Sequence, residues 1–265
     1  MSDPVIRVED SWSSLKRYTA ARIALGRAGA SLPTREVLGF RLDHARARDA
    51  VLLELDLEAL GDELGALGVE TLRLRSLCRD KAEYLKRPDF GRRLSESSRA
   101  ELGEAAPLGG CDLALVVADG LSSVAVERQA LPLLSAFLPF CADLSLGPLC
   151  LAKYGRVALS DEVGSILAAK IVIILIGERP GLSSPDSLGA YLTFGPSIGT
   201  TDERRNCVSN IRPEGLEPAR AARKLDYLVR ESLKRGISGV GLKDEQSAEV
   251  LGDPVERLGG SEDSA

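Results

Sequence analysis

The sequence predicts an α/β protein, with a mainly helical N-terminal region over residues 1–105, a Rossmann-like parallel sheet over 106–236 and a frayed tail over 237–265. Three observations carry this expectation. The run CDLALVVADG, Cys111 to Gly120, is apolar without alternation and ends in Asp-Gly, as a parallel strand buried on both faces reads. A second such run, KIVIILIGERPG, begins at Lys170 and loses its apolar character at Gly177. Between them helical and extended segments alternate, and strand, helix, strand, helix, strand at these lengths means βαβ units.

From Asp10 to about Gly103 apolar residues recur at spacings of three and four among polar ones and arginines, a helical pattern. Thr34 after Pro33 is a candidate N-cap for a helix through Val37, Leu38, Leu42 and Ala45 toward Ala50. Leu57, Leu60, Leu64 and Leu67 form a second stripe, closed by Gly68. Leu72 and Leu74 alternate with Arg73 and Arg75, which suits a short strand. Pro88 and Gly91 interrupt LKRPDFGRRL before a short helix near Ser95. The character changes near Pro107. After the first buried strand, Leu121 to Phe137 has helical spacing and stops around Pro139. PLCLAKYGRV is extended, and SDEVGSILAAK is a helix with Ser160 as N-cap and Asp161 and Glu162 in its first turn. A Gly-, Ser- and Pro-rich loop spans Arg179 to Asp186, then come YLTFG and RNCVSNIRPEG, and a last helix runs from Pro218 to Lys234. Beyond Gly236 no period remains.

At 265 residues the chain has room for one large domain or two modest ones. Hydrophobic residues at 44% and charged residues at 28% exclude collagen-like and wholly disordered chains. Aromatics at 4% argue against stacking platforms for single strands, and a net charge of −5 gives no general pull toward phosphate backbones or anionic lipids. The expectation is therefore no nucleic-acid and no membrane partner. Cys78, Cys111, Cys141, Cys150 and Cys207 are widely spaced without a CxxC pair, which fits reduced thiols in a cytosolic compartment. The N-terminus has no basic segment followed by an apolar run, and the longest clean apolar stretch, Ile171 to Ile176, is too short to span a bilayer.

Open parallel sheets bind ligands outside the carboxyl ends of their strands, which places Asp119-Gly120 and Gly177-Glu178-Arg179 on one rim. No GxGxxG follows either strong strand and no GxxxxGK[ST] occurs, so dinucleotide and P-loop sites are disfavoured. His44 is the sole histidine, so no Ser-His-Asp relay or histidine metal cluster can be assembled; it reads as a partly exposed helix residue. Glu178 is a rim ligand, an ordinary strand-end charge, or one half of a pair with Arg179. Asp119 is either a ligand or a turn residue. Cys207 lies in a polar strip, with Arg205, Asn206, Ser209 and Asn210, and has no base near it in sequence. Lys86, Arg87, Arg92 and Arg93 form a basic cluster that suits a solvated or partner-facing surface more than a phosphate site. These residues support a ligand-binding domain without catalytic machinery.

The blocks IALGRAGASLPT (Ile23 to Thr34), DHARARDAV (Asp43 to Val51), YLKRPDFGRRL (Tyr84 to Leu94), VVADGLS (Val116 to Ser122), IGERPGLSSPDSLGAYLTFGP (Ile176 to Pro196) and RNCVSNIRPEGL (Arg205 to Leu216) closely resemble the small subunit, or light chain, of ethanolamine ammonia-lyase. The resemblance implies an adenosylcobalamin-dependent lyase that turns ethanolamine into acetaldehyde and ammonia by a radical mechanism. It also implies a large-subunit partner whose barrel binds ethanolamine, while the small subunit covers the cobalamin from the opposite side. The Rossmann-like half would then be a cobalamin-binding domain, and the family's cofactor contacts fall on Val157 in YGRVALSDE, Glu178 in IGERPGLSSPDS and Cys207 in RNCVSNIRP. Glu178 is expected to accept hydrogen bonds from cofactor amides or hydroxyls, Val157 to offer backbone or apolar contact, and Cys207 to pack as a small soft group. The implied location is cytoplasmic, including the ethanolamine-utilisation microcompartment of bacteria. Two other readings stand beside this one: a structural, solubilising subunit that touches no cofactor, and a stand-alone Rossmann-type nucleotide-binding enzyme.

Overall fold

All four segments read as extended become neighbours in one sheet. The computed structural model describes residues 8–19 and 21–244. In it β1 (Thr71–Arg75), β2 (Cys111–Ala118), β3 (Leu149–Lys153) and β4 (Ala169–Gly177) run parallel, and β5 (Leu188–Phe194) and β6 (Arg205–Ile211) continue the sheet antiparallel. The order is β1-β3-β2-β4-β5-β6, a mixed but mostly parallel sheet. Successive side chains point to opposite faces, and the absence of polar alternation in β2 and β4 is explained because both faces are covered.

On one face Leu113, Leu115, Val117, Ile171, Ile173 and Leu175 meet α2 (Leu57–Gly65), α5 (Ser123–Phe137) and α7 (Pro218–Arg235). On the other, Ala114, Val116, Val172, Ile174 and Ile176 meet α4 (Glu96–Glu104) and α6 (Leu159–Ile166). Each fully buried Leu, Ile or Val contributes about 1.5–3 kcal/mol, so these two layers hold the fold. The cap residues are local: Asp56 accepts from the Glu58 and Ala59 amides at α2, Ser95 from Ser98 at α4, and Ser122 from Ala125 at α5. Pro218 opens α7 and Gly236, at φ +68°, closes it in the left-handed conformation. The Ser123–Cys141 stretch is long and apolar enough to cross a membrane, but its apolar side is core, with Val126, Ala130, Leu133 and Phe137 buried under the sheet.

Several expectations are corrected. The stretch from Asp10 is not continuously helical: a short 3₁₀ turn at Ser13–Tyr18 is followed by chain bridged at Val8 with Arg27 and at Ala28 with Ser31, because Gly26 and Gly29 take positive φ. Thr34 is the first residue of α1 (Thr34–Leu52), not its cap; Pro33 occupies the cap without a side-chain bond. The apolar stripe of α1 is uncovered: Leu38 and Leu42 are exposed and only Ala50 is buried. Ser160 lies inside the first turn of α6, where its hydroxyl donates to the Val157 carbonyl at 2.8 Å. β1 crosses the boundary drawn at residue 105 by pairing with β3, since its burial is completed by the same sheet. YLTFG and RNCVSNIRPEG, for which the sequence predicts no element, contain the second half of β5 and the whole of β6. Residues 237–244 of the expected tail pack back: Leu242 is buried, and Asn206 donates to its carbonyl at 2.7 Å. The rest of that tail lies outside the described residues.

Candidate functional site

β2 leaves toward α5 on one face and β3 toward α6 on the other, and the two strands are adjacent, so a crevice opens at their carboxyl ends. Asp119 floors it. Its side chain is fully buried; one oxygen lies 3.3 Å from Lys81 Nζ on α3 (Lys81–Lys86), and the other accepts from the Gly155 amide at 3.1 Å. Burial pushes its carboxyl upward, and Lys81 and the Gly155 amide pull it down. Asp119 is thus the turn residue of the two readings, tying β2 to the loop after β3. That closeness requires glycine: a Cβ on Gly155 would stand 2.8 Å from the Ala118 side chain at the end of β2. Tyr154 sits at φ +60° just after β3, its hydroxyl donating to Glu54 at 2.9 Å, and Tyr84 donates to the Gly155 carbonyl at 3.2 Å.

Two hollows join above this floor. One, about 680 Å³, is lined by Val157, Tyr191, Arg205 and Cys207; the other, about 460 Å³, by Gly120, Val157, Glu178 and Tyr191. Arg156, Val157 and Tyr191 belong to both, so a single groove runs from the strand rim onto β5 and β6. The groove exists because α7 covers only one face of these two strands. On the other face Tyr191 and Cys207 stand opposite each other in the ladder, and Cys207 is exposed. The structure therefore brings Val157, Glu178 and Cys207, which lie far apart in sequence, to one surface.

Their surroundings differ. Glu178 lies over Gly189, where a Cβ would approach its carboxylate to 2.9 Å. Its Oε2 accepts from the Ser187 hydroxyl and from the Asn210 amide at 3.3 Å, while Oε1 has no partner among the described residues. It forms no ion pair with Arg179 there, so the pairing alternative is not realised. Val157 is half-buried and its carbonyl is occupied by Ser160, leaving its side chain for contact. Although Cys207 opens to the groove, desolvation by the walls pushes its thiol above the ordinary value; Tyr191 acts against this and the Glu178 charge adds to it. Burial, with Cys207 next, likewise raises the Tyr191 phenol.

Behind the groove, Arg205 is 2% exposed and grips Asp161 of α6 with both terminal nitrogens, at 2.6 and 2.7 Å, and also donates to Thr193 and to the Thr200 carbonyl. Glu162 takes Arg93, Arg99 and the Leu94 amide. The basic cluster divides accordingly: Arg93 serves Glu162, Arg87 pairs with Asp89, and Arg92 faces the groove. His44 is exposed on α1, ring to ring with Phe40, and lines neither hollow. Among the described residues no group of three metal-ligating side chains gathers. Sequence reasoning missed Tyr191, Arg156 and the Arg205–Asp161 pair. Tyr191 carried a signal, as the bulky residue between Ala190 and Leu192; the ion pair carried none, since its members are 44 residues apart.

The fold and groove define an α/β protein with a preformed, arginine-rich hollow at the edge of a mostly parallel sheet. A sequence profile described as ethanolamine ammonia-lyase light chain spans residues 9–243. Ethanolamine ammonia-lyase small subunits from Azotobacter vinelandii and Ralstonia nicotianae are 55% and 53% identical, over 249 and 252 residues. The first alignment covers 92% of each chain and the second 94% of this chain and 93% of the relative. The chain belongs to the ethanolamine ammonia-lyase light-chain family, so it is a lyase small subunit and its kind implies a large-subunit partner.

Proposed function

We propose that this chain covers adenosylcobalamin in an ethanolamine ammonia-lyase whose large subunit carries the ethanolamine site. The sheet from β2 onward is then the Rossmann-like half that holds the corrinoid. One observation carries the reading: Val157, Glu178 and Cys207 converge on one groove, where Glu178 keeps an oxygen free to accept. A corrinoid edge rich in amide and hydroxyl donors fits that oxygen, and the apolar sides of Val157 and Tyr191 fit the ring. When bound, the cofactor would supply radical chemistry toward the substrate held by the partner. What this chain contributes is a wall: Glu178 orients, Val157 and Tyr191 exclude water, and Asp119 with Lys81 keeps the floor in place.

Glu178→Ala tests the reading in the reconstituted two-subunit complex. It leaves donors unpaired in a water-poor interface, at about 1–3 kcal/mol, so cobalamin affinity falls roughly 5-fold to 150-fold. Glu178→Gln keeps an acceptor oxygen and loses less. Turnover at saturating cofactor falls far less than affinity, because the substrate is held by the partner. An unchanged Kd in a complex whose thermal unfolding matches wild type removes Glu178 from the site.

A further inference from the structure

The arginines around the groove are of two kinds. Arg93, Arg99 and Arg205 are neutralised by Glu162 and Asp161. Arg92 and Arg156 have no carboxylate partner among the described residues, yet both line the larger hollow. Arg156 is also common to the smaller one. Its guanidinium is preset: the carbon lies 4.2 Å from the Tyr84 ring centre, one terminal nitrogen donates to the Tyr84 carbonyl at 3.3 Å, and its own amide donates to Gly91 at 2.7 Å. Gly91 makes the room, since a Cβ there would meet the Arg156 side chain at 2.8 Å. Its Nε is buried and unpartnered. A buried donor left unsatisfied opposes folding unless something else repays it, and ligand sites are where such groups are kept. In a chain of net charge −5, Arg92, Arg156 and Arg179 stand at this groove without a carboxylate partner among the described residues, beside the carboxylates of Glu178 and Asp202.

We propose that Arg156, supported by Arg92, is an anion site that takes the phosphodiester of the corrinoid's nucleotide arm. The assignment rests on the cobalamin reading above. The phosphodiester is the one peripheral anion of a cobalamin, whose other edge groups are neutral amides. A planar guanidinium held on a ring face presents parallel donors to two phosphate oxygens, which a lysine at the same place does not. Arg156 is therefore a positioning residue: it fixes where the nucleotide arm lies and makes the groove favour complete cobalamins over corrinoids that lack it.

The test compares hydroxocobalamin with cobinamide, which has the corrin but neither phosphodiester nor base, by equilibrium dialysis against the reconstituted complex. Arg156→Gln is expected to weaken cobalamin roughly 10-fold to 100-fold while cobinamide changes less than about 2-fold. Arg156→Lys keeps the charge without the fork and falls between, with thermal unfolding as the control for the lost Tyr84 contact. Equal losses for the two corrinoids, or no loss for either, overturn the proposal. Inorganic phosphate that binds the corrinoid-free complex through Arg156, with corrinoid discrimination unchanged, overturns it in favour of a free-anion site. If wild type binds neither corrinoid, the cobalamin reading itself fails; if it binds both and the variant does not discriminate, only this assignment does.

Discussion

Cys207 reports on the groove by itself. It is exposed, whereas Cys78, Cys111, Cys141 and Cys150 are buried, with burial pushing the thiols of Cys141 and Cys150 up to about 12. A maleimide is expected to label one thiol per native chain, and a cysteine-to-serine change at 207 abolishes that label. Because the Cys207 value is also raised, labelling is slow near neutrality and accelerates as pH climbs past the ordinary thiol range. The raised folded values set the sign for stability as well. The thiols favour the fold fully below the unfolded thiol pKa, and this contribution is lost as pH rises, since the unfolded chain then releases protons that the folded one retains. Adding cobalamin to the complex is expected to slow Cys207 labelling. Equal rates with and without cofactor would place Cys207 outside the covered surface.

At the scale of elements, Glu162 fastens α6 to the segment before α4. Its side chain is 3% exposed and collects Arg93, Arg99 and the Leu94 amide, while the two arginines are 43% and 40% exposed. Burial works to raise its carboxyl, but the arginines and the amide overcome that and hold it low. Its stabilisation is therefore present above the unfolded carboxylate range and is lost as pH falls through the lowered value. Glu162→Ala leaves the Leu94 amide unpaired and lets both arginines hydrate, a loss of about 1–3 kcal/mol, or roughly 2–12 °C in Tm for a chain of this size. Scanning calorimetry checks it, and the difference between variant and wild type should shrink in acid. The elements themselves were unevenly legible. β2 and β4 could be read because strands covered on both faces leave unbroken apolar runs. β5 and β6 could not, since one face meets α7 and the other a half-open groove, so Tyr191, Cys207 and Ser209 interrupt the pattern. Thr34 and Ser160 were good cap residues, one and two positions too late, because Pro33 and Ala158 bring the chain into the helix first. The site residues came from a shared family sequence; the groove that unites them is made by the antiparallel extension of the sheet, which no spacing announces.

On the proposed reading the whole molecule supplies one wall of a reaction chamber, and two outcomes follow. The isolated chain should bind cobalamin weakly and deaminate no ethanolamine, both properties appearing when the large subunit is added; turnover by the isolated chain would refute this. The second outcome concerns cobalt. Proteins that displace the cofactor's own base ligate cobalt with a histidine inside Asp-x-His-x-x-Gly, and here Asp43 directly precedes His44. The ring of His44 lies against Phe40 on the exposed side of α1, while both hollows are lined from the β2, β3 and β4 rim and from β5 and β6. No other residue of this chain offers an imidazole. The cofactor should therefore keep its dimethylbenzimidazole on cobalt as far as this subunit is concerned, with the nucleotide arm lying along the arginine wall. Electron paramagnetic resonance of the cob(II)alamin state decides the point in complexes whose small subunit alone carries nitrogen-15 histidine. The nitrogen coupling should be that of the unlabelled base, indifferent to the labelled chain and to His44→Ala. A splitting that follows the labelled histidine would sink the idea, and would require α1 to reach a groove it does not touch in this fold.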